Sequence, residues 1–147
     1  MYRGINGINL DEKGRMALPT RYRDNLGAVV VTIDTEESCL LMYPQDEWEE
    51  IEAKIEALPS FNQSARRVQR LLIGHATELS LDNNGRILLP QLLRDYAHLE
   101  KQVILVGQGK KFEIWSAPVW EVRRKEWLKA GTIEITALPV ELQTLSL

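Results

Sequence analysis

Leu10-Asp11-Glu12-Lys13-Gly14-Arg15-Met16-Ala17-Leu18-Pro19 returns 71 residues later as Leu81-Asp82-Asn83-Asn84-Gly85-Arg86-Ile87-Leu88-Leu89-Pro90. Over residues 10–24 and 81–95, eight of fifteen positions are identical, Arg23-Asp24 and Arg94-Asp95 among them. Ordinary residue frequencies would give about one. Farther along the spacing becomes 72, so that Tyr43 falls on Trp115 and Trp48-Glu49 on Trp120-Glu121. The 147-residue chain therefore reads as two copies of one unit of about half its length, and this duplication decides the fold.

Each copy carries the same order of signals. An extended segment, residues 5–10 or 77–81, leads into an Asp-x-x-Gly turn. A short apolar strand follows and stops at Pro19 or Pro90, because proline cannot donate to a ladder and suits the first turn of a helix. Short helices are expected near 20–26 and 91–96, then strand pairs at 29–33 with 39–43 and at 103–106 with 112–115. Each copy closes with an amphipathic helix. Trp48, Ile51, Ile55 and Leu58 form one helical stripe in the first, and Trp120, Trp127 and Leu128 serve in the second. Between the copies, residues 62–73 read as a helix with Ala65, Val68 and Leu72 inward and Arg66 and Arg70 on another face. The strand-and-turn part of one copy, about 50 residues, buries too little surface to be very stable alone. The expected fold is mixed α/β and mainly β: two tandem repeats, 5–47 and 76–119, packed about a pseudo-twofold axis as one intertwined barrel with flanking helices.

Composition is that of an ordinary globular chain, with 44% hydrophobic and 27% charged residues. The apolar runs at 28–31 and 103–106 are too short to cross a bilayer, and the first residues have no apolar core of a secretion signal. A single cysteine, Cys39, excludes an internal disulfide and a cysteine-based metal cluster. A cytoplasmic protein is the expectation. The net charge of −3 and the pI near 5.5 argue, taken alone, against nucleic acid. The charge is unevenly spread, however. Residues 34–59 hold nine acids against Lys54, whereas residues 1–25 carry a balance of +2 and residues 60–77 hold Arg66, Arg67 and Arg70 with no acid. Such asymmetry bears on partners.

The repeated turn carries the chemistry. Asp11 at its first position can accept backbone N–H bonds, and Gly14 takes positive φ without steric cost. Arg15 leaves the turn beside Lys13. A rigid hairpin tip with two cations suits a phosphate or a guanine edge, since arginine offers a planar fork of donors. Two blander readings stay open: solvated charges on a hairpin, or Asp11 and Arg15 pairing only to brace the turn. The candidate DNA contacts are Arg3, Asp11, Lys13, Gly14, Arg15 and Arg86. In the second turn Asn83 and Asn84 replace Glu12 and Lys13, so that loop lacks a cation.

Tyr2-Arg3-Gly4, then Asn9 to Arg15 and Pro19-Thr20-Arg21-Tyr22-Arg23, resemble the start of the MraZ family. The second turn, Val106-Gly107 and Glu113-Ile114-Trp115 resemble its second half. The resemblance covers nearly the whole chain. It implies an AbrB-like swapped-hairpin barrel with two motifs per chain, and a ring-like homo-oligomer on the nucleoid. It further implies a regulator of the cell-division and cell-wall gene cluster that binds G-rich direct repeats of double-stranded DNA in the promoter. The family pattern D-x-x-x-R falls on Asp11 with Arg15 and on Asp82 with Arg86.

The rest of the chain offers weaker candidates. Arg66, Arg67 and Arg70 read as a phosphate patch, a solvated helix face, or a partner for the acidic helix of a neighbouring subunit, and Arg123-Arg124-Lys125 invites the same readings. Cys39 reads as a small core residue, and the tryptophans as core or interface anchors. His75 and His98 lie outside any recognised metal-motif spacing, so neither a metal nor a cofactor is expected. No Gly-rich phosphate loop, nucleophile elbow or zinc helix motif is present, and a catalytic role is not expected. The rival readings are an AbrB-like antitoxin and an enzyme whose site is assembled across the barrel.

Overall fold

The computed structural model describes residues 1–130 and 138–142. The first repeat supplies β1 (Tyr2–Asn9), β2 (Arg15–Ala17), α1 (Thr20–Arg23), β3 (Ala28–Ile33), β4 (Leu40–Pro44) and α2 (Gln45–Glu56). A connecting helix, α3 (Gln63–Val68), runs into a π-helical turn at Gln69–Ile73. The second repeat supplies β5 (Thr77–Ser80), β6 (Arg86–Leu88), α4 (Gln91–Tyr96), β7 (Gln102–Gly109), β8 (Lys111–Ser116) and α5 (Ala117–Lys129). The fold is thus mixed α/β, dominated by strands, with five α-helices among the described residues.

Proline stands at the N-cap of α1 and α4, as Pro19 and Pro90, and so converts strand into helix at the same place in each unit, whereas Pro44 caps α2 where Ser116 caps α5. Helix α1 stops at Arg23, sooner than its pattern suggests, because the chain turns through Asn25 and Leu26. Strand β7 is longer than its apolar run. It is hydrogen-bonded on both edges, to β1 and to β8, and these ladders carry it through the polar Gln108.

Six strands form one antiparallel sheet in the order β1-β7-β8-β4-β3-β5, and β2 and β6 form a separate two-stranded ribbon. Every pairing except the β3–β4 and β7–β8 hairpins joins one repeat to the other. Met16 faces Ile87, and Leu41 faces Glu113. In both pairs a residue sits opposite its own counterpart in the other repeat, so both ladders are centred on one pseudo-twofold relation. The expected barrel is not closed. Strands β1 and β5 are the two edges of the sheet and do not pair with each other. The tight turns after them fold the chain out of the sheet, and the outgoing strands β2 and β6 satisfy each other's backbone groups instead.

The main core draws on both repeats at once. Met16, Leu18, Tyr22, Val29, Val31 and Met42 pack with Ile87, Leu89, Leu93, Val103, Leu105 and Phe112 between the sheet and the ribbon. The other sheet face carries two smaller clusters, Val30, Leu41, Tyr43 and Trp48 near α2, and Cys39, Val106, Trp115 and Trp120 near α5. The inner strands are therefore buried on both faces, and their sequences run apolar without alternation. In α2 the stripe is inward at Trp48 and Ile55, while Leu58 lies past the helix end and is exposed. In α5 Trp120 is buried and Trp127 stacks edge-on to Trp115 and Trp120, but Leu128 is 63% exposed and does not join the core.

Gly107 belongs to the tightest approach in the sheet. It pairs with Gly4, which has φ +107°, and a methyl on Gly107 would stand 2.5 Å from the backbone N and 2.8 Å from Cα of Arg3. Backbone cannot yield as a side chain does. Gly107→Ala is therefore expected to destabilise the protein by about 1–3 kcal/mol, seen as a lower melting temperature with β1 displaced from the sheet edge.

Candidate nucleic-acid interface

The ribbon has two faces because side chains alternate along a strand. Met16 and Ile87 point into the core and are fully buried. Arg15, Ala17, Arg86 and Leu88 occupy the opposite, outer face, with Arg15 opposite Leu88 and Ala17 opposite Arg86. Two arginines, one from each repeat, are thus set diagonally across a two-stranded antiparallel ribbon.

The two turns that lead into the ribbon are near-copies. In the first, Asp11 Oδ1 accepts the backbone N–H groups of Lys13 and Arg15, both at 2.9 Å, and Asp11 Oδ2 accepts Arg15 Nε at 2.6 Å. The backbone N–H of Gly14 donates to Asp11 O at 3.0 Å, with Gly14 at φ +88°. In the second, Asp82 Oδ1 accepts Asn84 N and Arg86 N, both at 2.9 Å, and Asp82 Oδ2 accepts Arg86 Nε at 2.9 Å. Gly85 has φ +72°. The aspartate–arginine pair therefore braces each turn. Bracing does not exhaust the arginine, since a guanidinium has five N–H donors in a fixed fork. Among the described residues only Nε of Arg15 is bonded, and its two terminal nitrogens have no protein partner. Arg86 differs: its Nη1 lies 3.8 Å from Oδ2 of Asp11, so it stands between the carboxylates of both turns.

These donors hold the Asp11 carboxyl down at about 2, foremost through the backbone N–H of Arg15, then through the Arg15 side chain and the Lys13 N–H, against some desolvation. Asp82 is lowered for the same reason, first by the backbone N–H of Arg86. A depressed carboxyl stabilises the fold fully above its unfolded value of about 3.9 and loses that contribution as pH falls through the folded value. An NMR titration of Asp11 should therefore show a midpoint at about 2, with the Arg15 amide shift changing in step.

The structure brings Asp11, Lys13, Gly14 and Arg15 together at one turn and places Arg86 on the same ribbon face. Arg3 stands apart. It lies near the start of β1, opposite Gln108, about 20 Å of extended strand before the turn. Arg66, Arg67 and Arg70 are exposed on α3 and the π-helical turn and form no ion pair among the described residues. The Arg123-Arg124-Lys125 run divides: Arg123 pairs with Glu37 and Glu126 and lies over the Trp127 ring, whereas Lys125 pairs with Glu121 at 3.7 Å.

Two arginines that the sequence marks only by their repetition, Arg23 and Arg94, also reach the turns. Nε of Arg23 donates to Leu18 O at 2.7 Å and Nε of Arg94 to Leu89 O at 2.9 Å. The signal that could have singled them out is their identity at the 71-residue spacing.

Potential metal ligands converge at one place among the described residues, where Asp34, Cys39 and Glu113 bring their ligand atoms within 4.8 Å of one another. Cys39 is buried beside Trp115 and Trp120, and its thiol donates to Asp34 Oδ2 at 3.5 Å. Burial, then the carboxylates of Glu113 and Asp34, push the thiol pKa far up and keep it protonated. No helix among the described residues is long and apolar enough to cross a membrane.

Comparison with known proteins is consistent along the whole chain. The family model described as "MraZ protein, putative antitoxin-like" matches twice, at residues 1–71 and 72–137. Proteins named "Transcriptional regulator MraZ" from Legionella pneumophila and Coxiella burnetii are each 55% identical to this chain over 152 aligned positions, covering 100% of both chains. The protein of the same name from Halorhodospira halophila is 54% identical with the same coverage.

Proposed function

Since the chain belongs to the MraZ family, we propose that it is a transcriptional regulator, not an enzyme, and that it reads double-stranded DNA through the outer face of the β2–β6 ribbon. The observation that carries this reading is the placement of Arg15 and Arg86 on that face, each held at Nε by its own aspartate. A two-stranded ribbon fits the B-DNA major groove, and an arginine fork matches the O6 and N7 acceptors of guanine. Lys13, exposed at the tip of the first turn, is available to a phosphate.

The target class follows from the resemblance: G-rich direct repeats in the promoter of the division and cell-wall genes. The working form would be a ring-like homo-oligomer in the cytoplasm, on the nucleoid. Unlike charges support such assembly. Asp46, Glu49, Glu50 and Glu56 are exposed on α2, and Arg66, Arg67 and Arg70 are exposed nearby in the chain and form no ion pair among the described residues, so an acidic face of one copy can meet a basic face of the next. Arg3 would reach only DNA flanking the ribbon. The test is a gel shift on the chain's own upstream region, with Arg15→Ala alongside.

The two repeats should not contribute equally. The second turn lacks the Lys13 cation, and Arg86 is drawn between two carboxylates. Arg86→Ala should weaken DNA binding less than Arg15→Ala and lower thermal stability at least as much. Titration and melting of both variants decide it, and the opposite ranking would refute the asymmetry.

A further inference from the structure

Arg23, the last residue of α1, and Arg94, within α4, occupy equivalent positions in the two repeats. Each lies against the turn of the other repeat. A methyl on Gly14 would stand 2.6 Å from Cζ and 2.7 Å from Nε of Arg94, and a methyl on Gly85 would run into Nε and Cδ of Arg23. The contact is closed by hydrogen bonds on both sides. Arg94 Nε donates to Leu89 O, and Leu89 N donates to Gly14 O at 3.1 Å. Arg23 Nε donates to Leu18 O, and Leu18 N donates to Gly85 O at 2.9 Å. Neither arginine has an ion-pair partner among the described residues, so each guanidinium is seated by backbone carbonyl and glycine backbone, not by a carboxylate.

We infer that Arg94 and Arg23 are positioning residues that act in trans between the repeats: Arg94 sets the turn that aims Arg15, and Arg23 sets the turn that aims Arg86. The glycines then have a second use. Their positive φ makes the turn, and their missing side chain leaves room for the planar guanidinium of the other repeat. The two reading heads are thereby tied into one rigid unit, since neither turn can move without disturbing a helix of the opposite repeat.

This inference rests on the ribbon as the DNA-reading face, and one experiment separates the two. Specific binding is titrated for Arg15→Ala, Arg86→Ala, Arg94→Ala and the double variants, and backbone amide shifts are recorded on each folded, DNA-free protein. Arg94→Ala should weaken binding by about tenfold, within the range for coupled neighbours. It should add almost nothing to Arg15→Ala, yet multiply with Arg86→Ala. Arg23→Ala should show the reverse pattern. Arg94→Lys should not restore affinity, because lysine keeps the charge but loses the Nε donor and the flat face. Without DNA, Arg94→Ala should move the amides of Gly14 and Arg15 more than those of Gly85 and Arg86. Loss of the reading itself would appear as unchanged affinity in Arg15→Ala, with the amide shifts still deciding the brace. Amide changes confined to the turn of the same repeat, full rescue by lysine, or multiplicative losses for Arg15 with Arg94 would overturn the inference.

Discussion

Affinity for DNA carrying several direct repeats in helical phase should exceed affinity for a single repeat by about 10²–10⁴-fold. One ribbon offers few cations, Lys13, Arg15 and a partly engaged Arg86, on a chain whose net charge is −3. Phosphate neutralisation by so few groups supports only weak, salt-sensitive binding. A closed homo-oligomer would repeat that ribbon at regular intervals, and after the first contact the later ones become intramolecular. The gain depends on geometry. B-DNA turns once in about 10–10.5 base pairs, so repeats at that period present one face to successive subunits. Inserting about half a turn between repeats should abolish the gain, and a full turn should restore part of it. Binding isotherms on one to four repeats, with and without insertions, test this. Equal affinity for one repeat and for several, or indifference to the half-turn, would mean that the assembly is not the reading device.

Arg15→Ala should cost about 1–3 kcal/mol of specific binding per engaged subunit if its fork meets a guanine edge, and the loss should be compounded across the assembly. Its terminal nitrogens, on the outer face of the ribbon and without a partner among the described residues, carry the expectation. The variant should stay folded, because Asp11 retains its bonds from the backbone N–H groups of Lys13 and residue 15. Relaxed base preference would accompany the loss. A phosphate contact has a different signature: uniform weakening across sequences and a salt slope smaller by about one per contact. Unchanged affinity in a folded variant would remove Arg15 from the interface and return the Asp11–Arg15 pair to a bracing role alone.

The duplication, the order of elements in each copy and the identity of the two turns are legible in the residues alone. These are local properties. An aspartate that caps two N–H groups within four residues, a glycine at positive φ and a proline that ends a strand act over a few bonds, and so Asp11 to Arg15 and Asp82 to Arg86 were legible, as was residue 91–96 as a helix. Which strands meet is set by the assembled fold. That β2 pairs with β6, which sets Arg15 and Arg86 on one face, that β1 and β5 remain edges of an open sheet, and that Arg94 lies on Gly14 and Arg23 on Gly85 are contacts across some 70 residues of chain. The same holds for Leu128, which fits an apolar stripe yet faces outward because Trp115 and Trp120 already fill the space beneath α5. The cost of closing a loop grows only slowly with its length, so chain separation scarcely favours one partner over another. The choice is made by which faces can be buried together, and that is a property of the assembled core, written in no single stretch of residues.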